Sequence, residues 1–243
     1  MTMLSVNLNK FALLRNSRDK DSPNLIDMAN RCVKSGAHGI TVHPRPDQRH
    51  SKYKDVRDLS VLIDDNPMFE LNVEGNPSDS FLELVKQAQP TQCTLVPDLP
   101  EQLTSDHGWD LNKNGELLAP IIQDLRKAGI RVSLFLDPDV SEVNLARSIG
   151  TDRIELYTQA YADAFGKTNQ EEVLQEYRTA VFHAQRIGLG VNAGHDLNLR
   201  NLKLFLTIPG ILEVSIGHAI VVDCLDYGLE GTLSRYLKIV QEV

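Results

Sequence analysis

Apolar positions in this chain gather in short runs, each closed by glycine, proline or polar residues and followed by a longer stretch with helical spacing. Eight runs, at residues 4–8, 39–42, 68–73, 92–96, 130–136, 153–156, 189–192 and 211–216, have the length and composition of buried strands. The stretches between them carry helix signals. Pro23 opens one in which Leu25, Ile26, Ala29, Cys32 and Val33 fall near one face before Gly36 stops it. Further helices are predicted over 53–63, from Pro77 through Val85, over 115–127, 140–148, 170–187 and 199–206, and in the segments that run to residue 243. Residues 160–165 predict a short extra helix. Residues 9–18 read as a loop carrying Lys10, Arg15 and Arg18, and residues 103–110 as a long connection of the kind that serves as a lid or binding loop.

Short strands separated by helix-length segments demand mostly parallel pairing. Eight such units, with no signature of two sheet halves, predict an α/β fold: a (β/α)8 TIM barrel with extra helices, formed as one domain over residues 1–243. An open doubly wound sheet is the alternative. It would normally carry a nucleotide-binding glycine loop after the first strand, and Asn7-Leu8-Asn9-Lys10 contains no glycine.

A formal charge of -8 and a pI near 5.4 argue against a general nucleic-acid or anionic-membrane surface, while leaving room for a local positive pocket. Cys32, Cys93 and Cys224 are widely spaced and form no CxxC pair, so reduced core thiols are expected. No segment reaches the length of a membrane span and no export signal is read at the N-terminus, so a cytoplasmic protein is expected.

In a barrel the C-terminal ends of all strands converge on one mouth, where enzymes of this architecture keep their chemistry. Here those ends offer Asn7, Asn9, His43, Arg45, Glu74, Asp137, Glu155, Asn192, His195, Asp196, Gly217 and His218. Three histidines, an arginine and a glutamate together point to an enzyme. Glu74 beside Gly75 is a candidate proton acceptor, since a carboxylate shielded from water titrates in a useful range. The plainer readings are a solvated glutamate at a helix start, His43 as a strand cap, and Arg45 pairing with Asp47 on the surface. Gly217-His218 before a helical run supplies free N–H groups of the kind that seat phosphate. Arg15, Arg18, Arg45, Arg49 and His50 are candidates for a second anion seat. No HExxH or close acid cluster supports a metal site.

The sequence blocks also resemble a known family. Ser5-Val6-Asn7 with Leu14-Arg15-Asn16-Ser17-Arg18, Gly39-Ile40-Thr41-Val42-His43, Asn72-Val73-Glu74-Gly75, Thr94-Leu95-Val96-Pro97, the stretch from Leu103 to Asp110, Val132-Ser133-Leu134-Phe135, Val191-Asn192-Ala193-Gly194-His195 and Ile216-Gly217-His218-Ala219 are similar to the PdxJ family of pyridoxine 5'-phosphate synthases. The resemblance runs through nearly the whole chain in the family's order. It implies a barrel with extra helices, assembled as a cytoplasmic homo-octamer built from dimers. It implies the condensation of 1-deoxy-D-xylulose 5-phosphate with 3-amino-2-oxopropyl phosphate to pyridoxine 5'-phosphate, phosphate and water, with no cofactor. By the same resemblance His43 is an acid/base group, Glu74 a proton acceptor and His195 a proton donor. Asn7, Arg18, Arg45, His50, Thr104, Gly194, Gly217 and His218 contact the substrates or their phosphates, and Asn9 stands at a substrate-positioning site.

The chain departs from the family pattern at Asn9-Lys10, where many members carry Asp-His, and at Gln159, where glycine is frequent; strand six carries Tyr157 at a histidine or tyrosine site. Two other readings stay open on the residues alone. One is a different phosphosugar isomerase or aldolase on the same barrel. The other is a non-catalytic oligomer that binds a phosphorylated metabolite.

Overall fold

A computed structural model describes the chain apart from residues 19, 65, 67, 99–101, 103, 104 and 243 and the side chain of residue 64. In chain order it forms β1 (Met3–Asn7), α1 (Asn9–Asn16), α2 (Leu25–Lys34), β2 (Gly39–Val42), α3 (Tyr53–Asp64), β3 (Glu70–Gly75), α4 (Asp79–Ala88), β4 (Gln92–Leu95), α5 (Leu111–Lys127) and β5 (Arg131–Leu136). It continues with α6 (Val140–Ser148), β6 (Arg153–Tyr157), α7 (Gln159–Ala164), α8 (Gln170–Arg186), β7 (Gly190–Gly194), α9 (Leu202–Phe205), β8 (Ile211–Ile216) and α10 (His218–Glu242), which is broken at Gly228 (φ +66°, ψ 169°). The strands pair in parallel and in sequence order, and β1 pairs with both β2 and β8 to close the barrel. This is the predicted (β/α)8 architecture, with α1 and α7 as additional helices.

Strand alternation decides what faces the barrel axis. Leu4, Val6, Ile40, Val42, Leu71, Val73, Leu134, Ile154, Val191 and Val214 have no exposed surface and belong to the core between strands and helices. The alternate positions Ser5, Thr41, Asn72, Thr94, Ser133, Glu155, Asn192, Glu213 and Ser215 are buried and polar. Hydrogen bonds between strands that are not neighbours place them on the axis. Thr94 of β4 donates to Glu155 of β6 (3.5 Å), and Asn192 of β7 donates to Gln92 of β4 (3.4 Å). Many TIM barrels fill this space with branched aliphatics; here it is a polar column beneath the mouth.

Five elements differ most from the sequence expectation. Residues 9–16 form a helix rather than a loop, because no glycine or proline interrupts them and Phe11, Ala12 and Arg15 share a buried face. Arg15 is held there by a bidentate pair with Asp55 of α3, at 2.7 and 2.8 Å. Helix α5 starts at Leu111, four residues earlier than predicted, because the Asp110 side chain caps it through the Lys113 N–H (3.2 Å). Strand β3 starts at Glu70, leaving Met68 exposed, and α9 contracts to a single turn. Strand β7 extends to Gly194, which moves Asn192 off the rim and into the axis. No helix among the described residues is long and apolar enough to cross a membrane.

Candidate active site

The C-terminal mouth of the barrel holds a cavity of about 330 Å³, lined from β1, α1, β3, β5, β6, β8 and the loops after β2, β4 and β7. Its residues come from positions that continue the inward alternation of each strand. His43 follows buried β2 and stops there because Pro44 and Pro46 end regular pairing. Its N–H donates to the Asn9 side-chain oxygen (2.9 Å), which also accepts from the Ser51 hydroxyl (3.1 Å). Asn9 thus ties the head of α1 to the loop that follows β2. Its own N–H donates to the Asn7 side chain (3.0 Å), whose amide donates to Glu74 (3.5 Å). Gly75 is required beside Glu74, since a Cβ there would stand 2.3 Å from the Phe81 ring.

Glu74 and His43 face each other, with Oε2 and Nδ1 3.9 Å apart and both side chains buried. Burial pushes the Glu74 carboxyl well above 4.5, reinforced by Glu155, Asp98 and Glu213 and opposed by Arg45. Burial also holds the His43 imidazole well below 6.5, with Arg45, His50, His195 and Arg49 acting in the same direction. Both shifts favour the uncharged form, the protonated carboxyl at Glu74 and the neutral imidazole at His43. The floor is Glu155, whose carboxyl is pushed up to about 8 by burial and then by Glu213; Glu213, deeper on the axis, is raised to about 7 by burial.

Arg45 is buried and pairs with Asp98, not with Asp47, which takes Arg49 instead (3.2 Å). Asp98 also accepts from the Ser105 hydroxyl (2.8 Å), and Arg45 donates to the Gln102 carbonyl (2.9 Å). The arginine thereby ties Asp98 and Gln102, both after β4, to the loop after β2. His50 is buried beside it, its pKa lowered to about 4 by burial and then by Lys10, Arg45 and Arg49. Among the described residues, buried Arg45 Nε, His50 Nδ1 and Asp98 Oδ1 have no hydrogen-bond partner. Such atoms are open to a polar ligand.

His195 stands half-buried at the end of β7 with φ +84°, followed by Asp196 at φ +56°. Two consecutive left-handed non-glycine residues cost on the order of 1–3 kcal/mol each, so their surroundings must hold them. The Thr158 hydroxyl contacts the Gly194 carbonyl (2.7 Å) and the His195 carbonyl, while the Thr158 N–H donates to Gly194 (3.0 Å). The ring packs against Phe135 and Tyr157, with centroids at 5.5 and 5.1 Å. Burial lowers the His195 pKa below 6.5, outweighing the opposing pull of Asp196 and Asp98. Gly194 leaves room for the floor, since a Cβ on it would lie 2.6 Å from Glu155.

Strand β8 ends at Ile216; a Cβ on the following Gly217 would stand 3.0 Å from the Asn7 side chain, and His218 then heads α10 at the exposed rim. The structure thus gathers Asn7, Asn9, His43, Arg45, His50, Glu74, His195, Gly217 and His218 around one cavity, with Gly194 behind its floor. Arg18 is exposed and outside this lining, and Thr104 lies outside the described residues. Asp98, Phe135 and Thr158 were not among the expected site residues. The inward register of β5 carries a signal for Phe135. The partnership of Asp98 with Arg45 spans 53 residues and has no local one. No cluster of three or more His, Cys, Asp or Glu suited to a metal occurs among the described residues.

Several solved structures share the fold at low identity. They include a 3-hexulose-6-phosphate synthase from Salmonella typhimurium (TM-score 0.65, 14% identity, covering 99% of each chain) and a thiamine phosphate pyrophosphorylase from Pyrococcus furiosus (TM-score 0.63, 13% identity, covering 99% of this chain and 96% of that one). Sequence relatives are far nearer. The pyridoxine 5'-phosphate synthase of Cytophaga hutchinsonii is 48% identical over 239 residues, covering 98% of both chains. That of Mesorhizobium japonicum is 48% identical over 241 residues, covering 97% of both. The family described as "Pyridoxal phosphate biosynthesis protein PdxJ" matches residues 4–242, and the chain belongs to that family.

Proposed function

We propose that this chain is a pyridoxine 5'-phosphate synthase, condensing 1-deoxy-D-xylulose 5-phosphate with 3-amino-2-oxopropyl phosphate in vitamin B6 biosynthesis. The observation that carries the reading is the convergence of His43, Glu74 and His195 on one cavity in a chain nearly half identical, end to end, to synthases of that name. The reaction forms an imine, expels phosphate and water, and moves protons repeatedly on one compact intermediate. A carboxyl and two imidazoles, each shifted by burial, suit that relay. Glu74 is the proton acceptor, His43 the adjacent acid/base group and His195 the donor. The substrate brings its own amine, so no lysine Schiff base is needed. The free N–H groups at the head of α10, with Gly217 and His218, seat one phosphate, and Arg45 with His50 face the second substrate. Asn7 and Asn9 fix the frame around Glu74 and His43; Arg18, Thr104 and Gly194 complete the substrate contacts. The working enzyme is a cytoplasmic homo-oligomer, an octamer built from dimers.

The test is incubation with both phosphorylated substrates, following product absorbance and phosphate release together. Pyridoxine 5'-phosphate and phosphate are expected in equal amounts, with turnover lost in Glu74→Gln and His195→Ala proteins that still fold. Turnover of one substrate without the amine would identify an isomerase or aldolase instead. Tight phosphate binding with no product, indifferent to Glu74, would identify a binding protein.

A further inference from the structure

The turn after β7 carries a proposed proton donor on left-handed backbone. His195 and Asp196 both have positive φ, and neither is a glycine. Among the described residues the other positive-φ positions that are not glycine are Gln48 and Gln89, each standing singly, and Gln89 is an ordinary left-handed helix end. A pair of such residues in sequence persists only where neighbouring groups over-determine it.

Those groups come from three elements. On the β6 side, fully buried Thr158 uses its N–H on the Gly194 carbonyl and turns its hydroxyl to the carbonyls of Gly194 and His195. On the far side, Asn198 and Asn201 both donate to the Asp196 carbonyl, at 3.1 and 3.0 Å. Asn201 is itself anchored, its carbonyl accepting from buried Tyr161 at 2.7 Å. Around the imidazole, Phe135 of β5 and Tyr157 of β6 form two walls that also touch each other, with centroids 5.4 Å apart. Tyr157 is in turn pinned by Tyr177 of α8, whose hydroxyl donates to the Tyr157 carbonyl at 2.6 Å. With Val96, these two rings make a small apolar cluster separate from the main core.

We propose that Thr158, Tyr157 and Phe135 are positioning residues for His195: Thr158 fixes the left-handed turn that aims the imidazole into the cavity, and the two rings fix its plane and keep water from it. The proposal rests on the assignment of His195 as proton donor. It gives the β6 terminus, which contributes no proposed proton-transfer group, a part in the chemistry. Each of the three acts through a different contact, so each has its own signature on removal. Losing the Thr158 hydroxyl frees the turn while leaving the rings in place. Losing a ring wets the imidazole while leaving the turn.

The experiment uses the full-length protein in two arms. Kinetically, Thr158→Val should lower kcat about tenfold or more with KM nearly unchanged, because misplacing a reacting group by about 1 Å costs as much as about a hundredfold. Thr158→Ser, which keeps the hydroxyl, should restore most of the rate, and melting curves should show all variants folded. In the second arm, the His195 resonance is titrated by NMR without substrate. It should titrate below 6.5 in the native protein and move towards 6.5 in Phe135→Leu and Tyr157→Leu, while Tyr157→Phe, which keeps the ring, should leave it unmoved. The groups that otherwise set this titration stay in place: Asp196 on its own turn, Asp98 after β4, Lys10 on α1, and His43 and Arg45 after β2. Folded Thr158→Val with native kcat, or a His195 titration indifferent to loss of either ring, would overturn the proposal. If the native protein makes no product, the assigned reaction fails while the titration still decides the cradle.

Discussion

Glu155→Gln should make this protein more stable at neutral pH, although it alters a buried residue at the heart of the barrel. Glu155 is 3% exposed, and burial together with Glu213 raises its carboxyl from 4.5 to about 8. A raised carboxyl contributes its full stability below pH 4.5, where folded and unfolded chains are both protonated. That contribution is lost as pH rises towards 8, because only the unfolded chain releases the proton freely. At about 1.4 kcal/mol per pH unit, about 3 kcal/mol is lost between pH 4.5 and 7. Glutamine has the shape of the protonated acid, and its carbonyl can still accept from Thr94, so the substitution removes the loss while keeping the contact. Urea unfolding of both proteins at pH 5, 6, 7 and 8 measures it. The variant should gain on the native protein by a growing margin as pH rises, with the difference levelling near pH 8. Parallel stability curves would refute the reasoning, since they would mean that Glu155 titrates in the folded chain as it does in the unfolded one.

Two other outcomes follow from the same structure. Arg15→Ala strands Asp55, which is buried against α1 and also accepts the Lys52 N–H at 2.6 Å, and should destabilise the fold by about 3–5 kcal/mol in denaturant melts, with Asp55→Ala together with Arg15→Ala costing less than the sum. The acid limb of kcat/KM, which reports the free enzyme, should lie above 4.5 through Glu74, and that of kcat should fall at lower pH, because the ammonium of the bound amino substrate favours the Glu74 carboxylate. Coincident limbs in the two profiles would show that the group titrating there is not Glu74.

What could be read in advance was set by local chemistry. The end of β2 was legible because Ile40, Thr41 and Val42 run into Pro44 and Pro46, and the ends of β8 and α6 were legible for similar reasons. Helix α1 was not, because Lys10, Arg15 and Arg18 have the look of a solvated loop; burial of Arg15 depends on Asp55, 40 residues away. The local sequence places Asn192 at the rim, since nothing in it shows that β7 continues through Ala193 to Gly194. The same holds for Arg45. Its neighbour in sequence, Asp47, is the obvious partner, and its actual one, Asp98, comes from the end of β4. Histidines and the glutamate at strand ends follow from periodicity, whereas the counter-charges that tune them follow from closure of the barrel.

The tuning explains why the mouth combines groups that individually destabilise it. Glu74, Glu155 and Glu213 are stacked from mouth to axis with Arg153 at the foot, 3.6 Å from Glu213, and each raises the proton affinity of a neighbour. His43, His50 and His195 share the opposite pressure from Arg45 and from burial. Each of these shifts favours the uncharged form of its group, the protonated carboxyl or the neutral imidazole. An ammonium brought beside Glu74 would favour its carboxylate, and a phosphate would favour a proton on the histidines. Charge of either sign brought into the mouth therefore opposes the effect of burial on the groups it faces. Burial, the largest cause of the Glu74 shift, would act in an aliphatic barrel as well; what the polar axis adds is Glu155 and Glu213, whose charge, where they ionise, raises the Glu74 carboxyl further.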